Sequence, residues 1–455
     1  MMTSYTISGY RSDFVAPESS VAIHQTLSVV DQAISHMPVH NLLLYPGLPN
    51  FSQMRAALVE TLSIQPDFSG RLRRNWRDLG RVRICNSEAG ILLEEQQVNA
   101  PASAINLRCP DQALIFSAPE PAASVVNQDE PLIRLRISRL SDGSAVLGIC
   151  TIHSLTDGGG LSLFLHNLAR ILRGQPAQPV ELGRYDIEHD FNDWRHGLKM
   201  QQATIQRTLF CPSRDIQQVY NGLNSIKRKF SPHQKPHANI KPALYVCIDQ
   251  SGVEQLYKQH GVVVGHVLNA MVLQALSKTR FAQGKHCIMY VPVLDVRGRI
   301  YPDNYTGNAV LMGVSEVAMS LVQEDNLKSL GLKLFADNMK ALKKDSLRAF
   351  ISLMRFFRAE IFFHLLKNEV SIMIDNISEL SFASVDLGYG VPNHIQMPPP
   401  SGIRMPFVYI YRTQDGGLMF QLSNPFGDCS EFCEQLAITV NKNLPGHGSI
   451  IKTEG

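Results

Sequence analysis

The sequence predicts an α/β protein of two domains, each built from strands and helices in mixed order. The chain has 455 residues, which is too long for one ordinary domain and fits two domains of about 200 residues each. A polar, basic stretch at residues 207–242 is longer than most connections inside a domain, so we interpret it as a crossover. The predicted domains are therefore residues 1–206 and 243–455.

Composition and charge exclude several classes of protein. Apolar residues make up 44% and charged residues 18% of the chain, as in globular proteins with sizeable cores. The net charge of +3 argues against nucleic acid as a partner, because nucleic-acid-binding domains concentrate Lys and Arg. The sequence has no apolar run of about 18 residues and no signal-peptide core near its first residue. Its eight widely spaced cysteines favour reduced thiols, so we expect a cytoplasmic protein without a metal site.

Two strands, a loop and a helix are predicted in succession near the middle of the first half. Apolar and polar residues alternate from Ile133 to Ser138, which is typical of a half-exposed strand. The almost continuously apolar stretch 145–152 predicts a buried central strand. Leucine and phenylalanine then recur at helical spacing between residues 161 and 172. Residues 153–160 therefore form the junction between a buried strand and a helix.

His153 directly follows the predicted buried strand and precedes Asp157 and three glycines. A strand end holds a side chain rigidly and leaves one side open to a cleft, as a general base requires. A neutral imidazole can accept a proton from a hydroxyl or an amine. Gly158, Gly159 and Gly160 would allow close approach of a substrate, with backbone N–H groups near a developing oxyanion. Two simpler interpretations stay open, namely that Asp157 only caps the helix or that the spacing arises by chance, while a zinc site would lack ligands.

Two stretches in this order resemble the signatures of the BAHD acyltransferases. HSLTDG at residues 153–158 is similar to their HxxxDG signature. SVDLGYGVP resembles their DFGWG signature, because it keeps Asp386 and both glycines and has Leu387 and Tyr389 in place of Phe and Trp. Three further stretches are similar to segments of this family in the same order: LSVVDQAISHMPVHNLLLYP, LVETLSIQPDFSGRLRR and VPVLDVRGRIYPDNYTGNAV. The chain thus resembles a divergent member of the family over most of its length.

The resemblance implies two similarly folded α/β domains of the chloramphenicol acetyltransferase type, with mixed sheets and a channel at their interface. Acyl-CoA and a small-molecule acceptor, a secondary metabolite, would enter this channel from opposite faces, and no cofactor would be bound. His153 would take a proton from the acceptor hydroxyl or amine as that atom attacks the thioester carbonyl. The resemblance also leads us to expect a monomer.

Other residues receive supporting roles from the resemblance. Asp157 would turn away from the channel and pair with Arg297, with Arg299 as the alternative partner. Gly158 would support the same loop. The donor side and the domain interface would be shaped by Asp386, Gly388, Tyr389, Gly390 and Asn308.

Three alternatives remain open at this point. Condensation domains of nonribosomal peptide synthetases share the superfamily and usually carry two adjacent histidines, whereas Ile152 precedes His153 here. The acyl donor would then be bound to a carrier protein, although the DLGYG stretch favours CoA. A member that binds without reacting is the second alternative, and the intact signature argues against it. The third alternative is contact with a membrane through a surface helix at residues 347–366. The apolar and aromatic residues of this segment suit a buried helix or the lining of a pocket better, with His364 in the core.

Overall fold

The computed structural model describes most of both halves of the chain. The described ranges are residues 5–182 and 243–451, with gaps at 20–23, 36, 75–80, 86, 122–124, 314, 325, 344–370, 399–405 and 425–427. The predicted crossover at residues 207–242 lies outside the described residues, as does the apolar segment at residues 347–366 with His364.

The N-terminal half is built around a mixed sheet. Six of the described strands form it, and they are β1 Ile7–Val15, β3 Pro38–Tyr45, β6 Ile91–Val98, β7 Ile133–Leu140, β8 Ala145–Ile152 and β14 His394–Gln396. Their order is β1-β6-β7-β8-β3-β14, in which β6 and β7 run parallel and all other neighbours antiparallel. A separate three-stranded sheet contains β2 His24–Thr26, β4 Arg71–Arg74 and β5 Val82–Cys85.

The C-terminal half has a larger mixed sheet. Its eight described strands are β9 Leu244–Ile248, β10 Cys287–Asp295, β11 Val310–Met312, β12 Ser315–Ala318, β13 Ser371–Asn376, β15 Phe407–Arg412, β16 Leu418–Ser423 and β17 Gly448–Ile451. The order is β11-β10-β13-β15-β16-β9-β17, with β12 paired to β10. Strands β10, β13 and β15 are parallel, and the other pairs are antiparallel. The predicted α/β class with mixed sheets is confirmed.

Helices cover both large sheets. The described α-helices are α1 Val29–Ala33, α2 Phe51–Ile64, α3 Pro110–Phe116, α4 Gly158–Leu172, α5 Gln250–His260, α6 Val264–Ser277, α7 Met319–Gln323, α8 Leu327–Ala341 and α9 Ser430–Asn443. In the N-terminal half α2 packs against α4, and in the C-terminal half α6 packs against α8 and α9. Among the described residues, Gln250–Ser277 passes a length and composition test for a membrane span, but 72% of its most apolar window is buried inside the protein. This stretch comprises α5 and α6, and most of its apolar part lies in the core of the C-terminal half.

The strand and helix around the predicted junction lie where the sequence pattern indicates. β8 covers residues 145–152 and all eight of its residues are buried. α4 begins at Gly158, directly after its N-cap residue Asp157, and ends at Leu172. The prediction of a buried strand followed by a loop and a helix is therefore confirmed.

β7 differs from the half-exposed strand that its alternating sequence predicts. Arg134 is 2% exposed and Ser138 is fully buried. The polar face is covered by α3, which packs on β7 and β8. Arg136 donates to the carbonyl oxygen of Ser117, the C-cap residue of α3, at 2.8 Å and pairs with Glu94 at 2.7 Å, while Gln96 donates a hydrogen bond to Ser138 at 2.9 Å. The alternation marks a buried polar network instead of a face in water.

The two halves share structure beyond the chain connection. β14, from the C-terminal half, pairs antiparallel with β3 and completes the first sheet. Gln396 of β14 donates hydrogen bonds to the Tyr245 hydroxyl at 2.9 Å and to Gln421 Oε1 at 3.0 Å, both in the second sheet. One apolar core also contains residues of both halves. The interface between the halves is therefore held by a strand, side-chain hydrogen bonds and apolar packing.

Candidate active site

His153 lies immediately after β8, at the start of the loop that leads into α4. Its backbone N–H donates to the carbonyl oxygen of Met37 at 2.9 Å, which ties the residue to the beginning of β3. The side chain is partly exposed, while Nδ1 is buried without a hydrogen-bond partner among the residues that the structure describes. With Nδ1 buried, Nε2 is the ring nitrogen that can meet a substrate.

Asp157 caps α4 and also binds the C-terminal half. Its Oδ1 accepts a hydrogen bond from the Gly160 N–H at 2.9 Å, and its Oδ2 accepts one from the Ala309 N–H at 2.7 Å. Arg297 donates from Nη2 to Oδ1 at 2.7 Å and from Nη1 to Oδ2 at 3.0 Å. Arg299, the alternative partner, points to α8 instead. The helix cap and the ion pair considered from the sequence thus coexist at one carboxylate.

Arg297 is almost completely enclosed, with 8% of its side chain exposed. Nε donates to the carbonyl oxygen of Tyr305 at 2.9 Å and Nη2 to that of Gly307 at 2.7 Å, while Asp295 lies 3.1 Å from Nη1. Burial alone would lower the pKa of Arg297, but Asp157 and then Asp295 outweigh burial and raise it. The guanidinium is therefore a permanently charged, bidentate link between the two halves.

The three glycines at 158–160 make room for the C-terminal half. A Cβ atom on Gly160 would lie 2.1 Å from the carbonyl oxygen of Thr306, and one on Gly159 would lie 2.6 Å from Nη1 of Arg297. Such distances are too short for any side chain. Protein atoms, and not a substrate, therefore take up the space that these glycines leave.

Asn308 adds a second polar link at the same junction. Its Nδ2 donates to Oδ1 of Asp31 at 2.9 Å, and nearby Thr156 donates its hydroxyl to the carbonyl oxygen of Thr306 at 2.8 Å. Asp31 belongs to the LSVVD stretch, Asn308 to the YTGN stretch and Thr156 to HSLTDG. Three stretches that are distant in sequence thus meet around the loop that carries His153. Asn308 lies here, and not beside the DLGYG stretch with which the sequence analysis grouped it.

The DLGYG stretch lies at the opposite end of α4. Asp386 accepts hydrogen bonds from the N–H groups of Gly388 and Gly390 at 2.8 and 2.9 Å. Both glycines have a φ of +102°, which side-chain-bearing residues rarely adopt. Asp386 also lies 3.6 Å from Arg173, the C-cap residue of α4. Because a 15-residue helix spans about 22 Å, this turn lies well away from the loop that carries His153.

Leu387 and Tyr389, the two substituted positions of this stretch, have different surroundings. Leu387 is fully buried in the core that spans both halves. Tyr389 is 57% exposed, and its ring lies against Gly47 in the connection between β3 and α2. The stretch therefore fastens the second half to the first, while its tyrosine hydroxyl needs no buried partner.

Two acidic residues near the junction escaped the sequence analysis. Asp295 ends β10 beside Arg297, and Asp375 lies near the end of β13. Burial, followed by the charges of Asp157 and Asp295, raises the pKa of the Asp375 carboxyl to about 7. Asp375 has no ion pair or hydrogen bond within the part of the chain that the structure describes. Its signal in the sequence is a single carboxylate inside the apolar run SIMIDN.

Comparison with known proteins decides the family. The model described as the Transferase family matches residues 6–432, nearly the whole chain. The chain belongs to this family, the BAHD acyltransferases. It is 29% identical to taxadien-5-alpha-ol O-acetyltransferase of Taxus chinensis over 152 residues, 31% of this chain and 34% of the relative. It is 31% identical to 13-hydroxylupanine O-tigloyltransferase of Lupinus albus over 129 residues, 27% of each chain, so these matches span about a third or less of the relatives.

Solved structures share the fold over almost the whole chain. Vinorine synthase has a TM-score of 0.68 at 15% identity, covering 96% of this chain and 98% of its own. TRI101 of F. sporotrichioides, complexed with coenzyme A and T-2, has a TM-score of 0.60 at 14% identity, covering 94% and 100%. The first condensation domain of the CDA synthetase has a TM-score of 0.60 at 13% identity, covering 96% and 100%. The predicted two-domain fold is confirmed, and at these identities the likeness shows the fold alone.

Proposed function

We propose that this protein transfers an acyl group from a CoA thioester to a hydroxyl or amine of a small secondary metabolite. Membership of an acyltransferase family supports the reaction type. The names of two relatives, an O-acetyltransferase and an O-tigloyltransferase, support an acyl donor and a small acceptor. The observation that carries the proposal is the partly exposed His153 at the end of β8, on a loop held by the Asp157–Arg297 pair.

His153 acts as the general base. Its Nε2 takes the proton from the acceptor heteroatom while the lone pair of that heteroatom forms a bond to the thioester carbonyl carbon. The tetrahedral oxyanion then collapses, the C–S bond breaks, and the CoA thiolate takes the proton back from His153. The products are the acylated acceptor and CoA thiol. Such base catalysis typically contributes about 10²- to 10⁴-fold to the rate.

Asp157 and Arg297 are positioning residues in this mechanism. Among the described residues, the hydrogen bonds that the Asp157 carboxylate accepts come from Arg297 and from the backbone N–H groups of Gly160 and Ala309, so this carboxylate is engaged away from the imidazole. Their contribution to the reaction is to fix the loop between β8 and α4. A rigid loop keeps the base in one geometry, which proton transfer requires.

The donor is tested by measuring thiol release from acyl-CoA by the purified chain with a panel of alcohols and amines. We expect turnover with a KM for acyl-CoA between about 1 μM and 1 mM, the ordinary range for enzymes. Acyl-pantetheine with the same acyl group should be a much poorer donor, because it lacks the nucleotide phosphates that Lys, Arg and backbone N–H groups bind. If acyl-CoA is inert while the same acyl group on a carrier protein is transferred, the chain is a condensation-type enzyme instead.

A further inference from the structure

One face of the second sheet carries a continuous row of polar side chains. The strand register places Asp375 of β13 opposite Tyr409 of β15, Tyr409 opposite Gln421 of β16, and Gln421 opposite Tyr245 of β9. Residues opposite each other in a sheet point to the same face. We call Asp375, Tyr409, Gln421 and Tyr245 the polar row.

The polar row faces the N-terminal half. Gln396, on the strand that completes the first sheet, bonds to Tyr245 and Gln421. Tyr409 and Tyr245 belong to the apolar core that contains residues of both halves. On the same face, two residues earlier in β13 and β15, stand the apolar Met373 and Phe407. The polar row therefore crosses an otherwise apolar interface.

The two ends of the polar row differ in how their polar groups are satisfied. At one end Gln421 donates to the carbonyl oxygen of Met397 at 2.5 Å, and Tyr245 accepts from Gln396. At the other end, Asp375 and the hydroxyl of Tyr409 have no hydrogen-bond partner in the described ranges, although Tyr409 is only 6% exposed. Asp375 is half-buried, so a ligand can reach its carboxyl group, and polar groups without a protein partner in an apolar interface are available to bind one.

The unsatisfied end of the polar row carries negative charge. Asp157, from the loop before α4, and Asp295, from the end of β10, both act on Asp375 in addition to burial. Arg297 is the cation bonded to these acids, and its guanidinium is already taken by Asp157 and Asp295. The guanidinium thus bonds two carboxylates, and Asp375 has no bond to it within the described residues. Tyr409, the neighbour of Asp375 on β15, adds no positive charge.

We propose that Asp375, together with the Tyr409 hydroxyl, binds a protonated amine of the acceptor, so that the protein selects acceptors with a cationic nitrogen separate from the acylated atom. This inference rests on the proposed function, because it names the acceptor class for the same reaction. An ammonium group donates hydrogen bonds to both a carboxylate and a phenol oxygen, and it supplies the missing positive charge. Asp375 is a specificity residue here, and no proton or acyl group passes through it.

Two alcohols of nearly equal shape separate charge from size. In 3-dimethylamino-1-propanol a protonated nitrogen stands where 4-methyl-1-pentanol has a CH group. Binding of each alcohol is measured by NMR to the wild-type chain, to Asp375→Asn, to Tyr409→Phe and to Glu60→Gln. Glu60 is exposed on α2, so its variant removes the same unit of charge away from the polar row.

The wild type and Glu60→Gln should bind the amino alcohol about tenfold more tightly than the neutral alcohol, the range of a charge-assisted hydrogen bond. Asp375→Asn should bring this ratio to about one, and Tyr409→Phe should reduce it about threefold. The preference of the wild type should also increase between about pH 6 and pH 8, because the Asp375 carboxyl loses its proton there while the amine stays charged. The Asn variant should show no such increase.

Equal binding of the two alcohols by the wild type, or an unchanged ratio in Asp375→Asn, would overturn the inference. Absence of amino-alcohol binding to the wild type would do the same. Binding needs no chemistry, so the two proposals fail separately. Selective binding that depends on Asp375, without thiol release from acyl-CoA, would contradict the proposed function and support the assignment of Asp375. Thiol release from acyl-CoA without any preference between the two alcohols would support the proposed function and contradict the assignment of Asp375.

Discussion

The buried ion pair between Asp157 and Arg297 should couple the two halves of the protein energetically, and a double-mutant cycle measures this coupling. The cycle uses Asp157→Asn and Arg297→Gln, which remove charge and keep much of the volume. Asn is also a good N-cap residue, so the cap to Gly160 should survive the first substitution. Most of the effect at Asp157 therefore comes from the lost ion pair.

The magnitudes follow from the burial of both side chains, which are 1% and 8% exposed. Breaking one side of a buried pair costs about 3–5 kcal/mol, because the other charge stays buried. We expect Asp157→Asn to lower the free energy of unfolding by about 3 kcal/mol, since Asp295 still neutralises Arg297. Arg297→Gln also loses the hydrogen bonds to the Tyr305 and Gly307 carbonyls, so we expect about 5 kcal/mol. The double variant, in which both charges are absent, should lose about 5–6 kcal/mol of unfolding free energy. Because the two single losses add up to about 8 kcal/mol, the coupling between the residues is about 2–3 kcal/mol.

Urea unfolding of the four proteins gives the free energies for the cycle. The matched control is the surface pair of Arg55 and Asp13, whose side chains are 47% and 40% exposed. An exposed pair of this kind should show a coupling below about 1 kcal/mol. Additive losses at Asp157 and Arg297, or a coupling no larger than that of the surface pair, would refute the structural role given to this ion pair.

Three further predictions concern single residues. The pKa of Asp375 is raised to about 7 in the folded chain, so the stability that its protonated carboxyl provides is lost as the pH rises from about 4 to about 7. Asp375→Asn should therefore gain stability over the wild type by on the order of 4 kcal/mol across this range in urea titrations, at about 1.4 kcal/mol per pH unit, and a constant difference would contradict this. Burial lowers the pKa of His40, but Cys150 and then Glu120 outweigh it and hold this pKa at about 9, so the corresponding stability is lost as the pH rises from about 6.5 to about 9. Glu120→Gln should lower the midpoint of the His40 NMR titration by about one unit, and an unchanged midpoint would show that Glu120 is not the partner. Gly160→Ala should lower the free energy of unfolding by at least about 1–3 kcal/mol, because the new Cβ atom would lie 2.1 Å from a carbonyl oxygen. Gly265→Ala, whose Cβ would have its nearest neighbour at 3.3 Å, should stay within about 1 kcal/mol of the wild type, and equal losses would argue against the tight contact.

Local rules explain why the loop around His153 could be predicted from the sequence. An unbroken apolar run marks β8, and helical spacing followed by a capping carboxylate marks α4. The pairing of Asp157 with Arg297 has no such local signal, because 140 residues separate them. That expectation came from the resemblance, and the structure brings the two residues together.

Residues whose role depends on sheet register could not be predicted. The carboxylate of Asp375 is visible as an interruption of an apolar strand, but its face depends on how β13 pairs with β10 and β15. Pairing of β14 with β3 connects segments about 350 residues apart, for which periodicity gives no information. The alternation in β7 was interpreted as exposure because a polar face can be covered by water or by other polar side chains, and only tertiary structure distinguishes them.

Thiol release from acyl-CoA by His153→Ala tests most directly whether His153 is the base. The control is His286→Ala, an exposed histidine in the turn before β10, and both variants are compared with the wild type using the best acceptor of the panel. His153→Ala should keep the wild-type unfolding midpoint and lose about 10²- to 10⁴-fold in rate. His286→Ala should stay within about twofold of the wild type. A folded His153→Ala protein that releases thiol at close to the wild-type rate would contradict the assignment of His153 as the base.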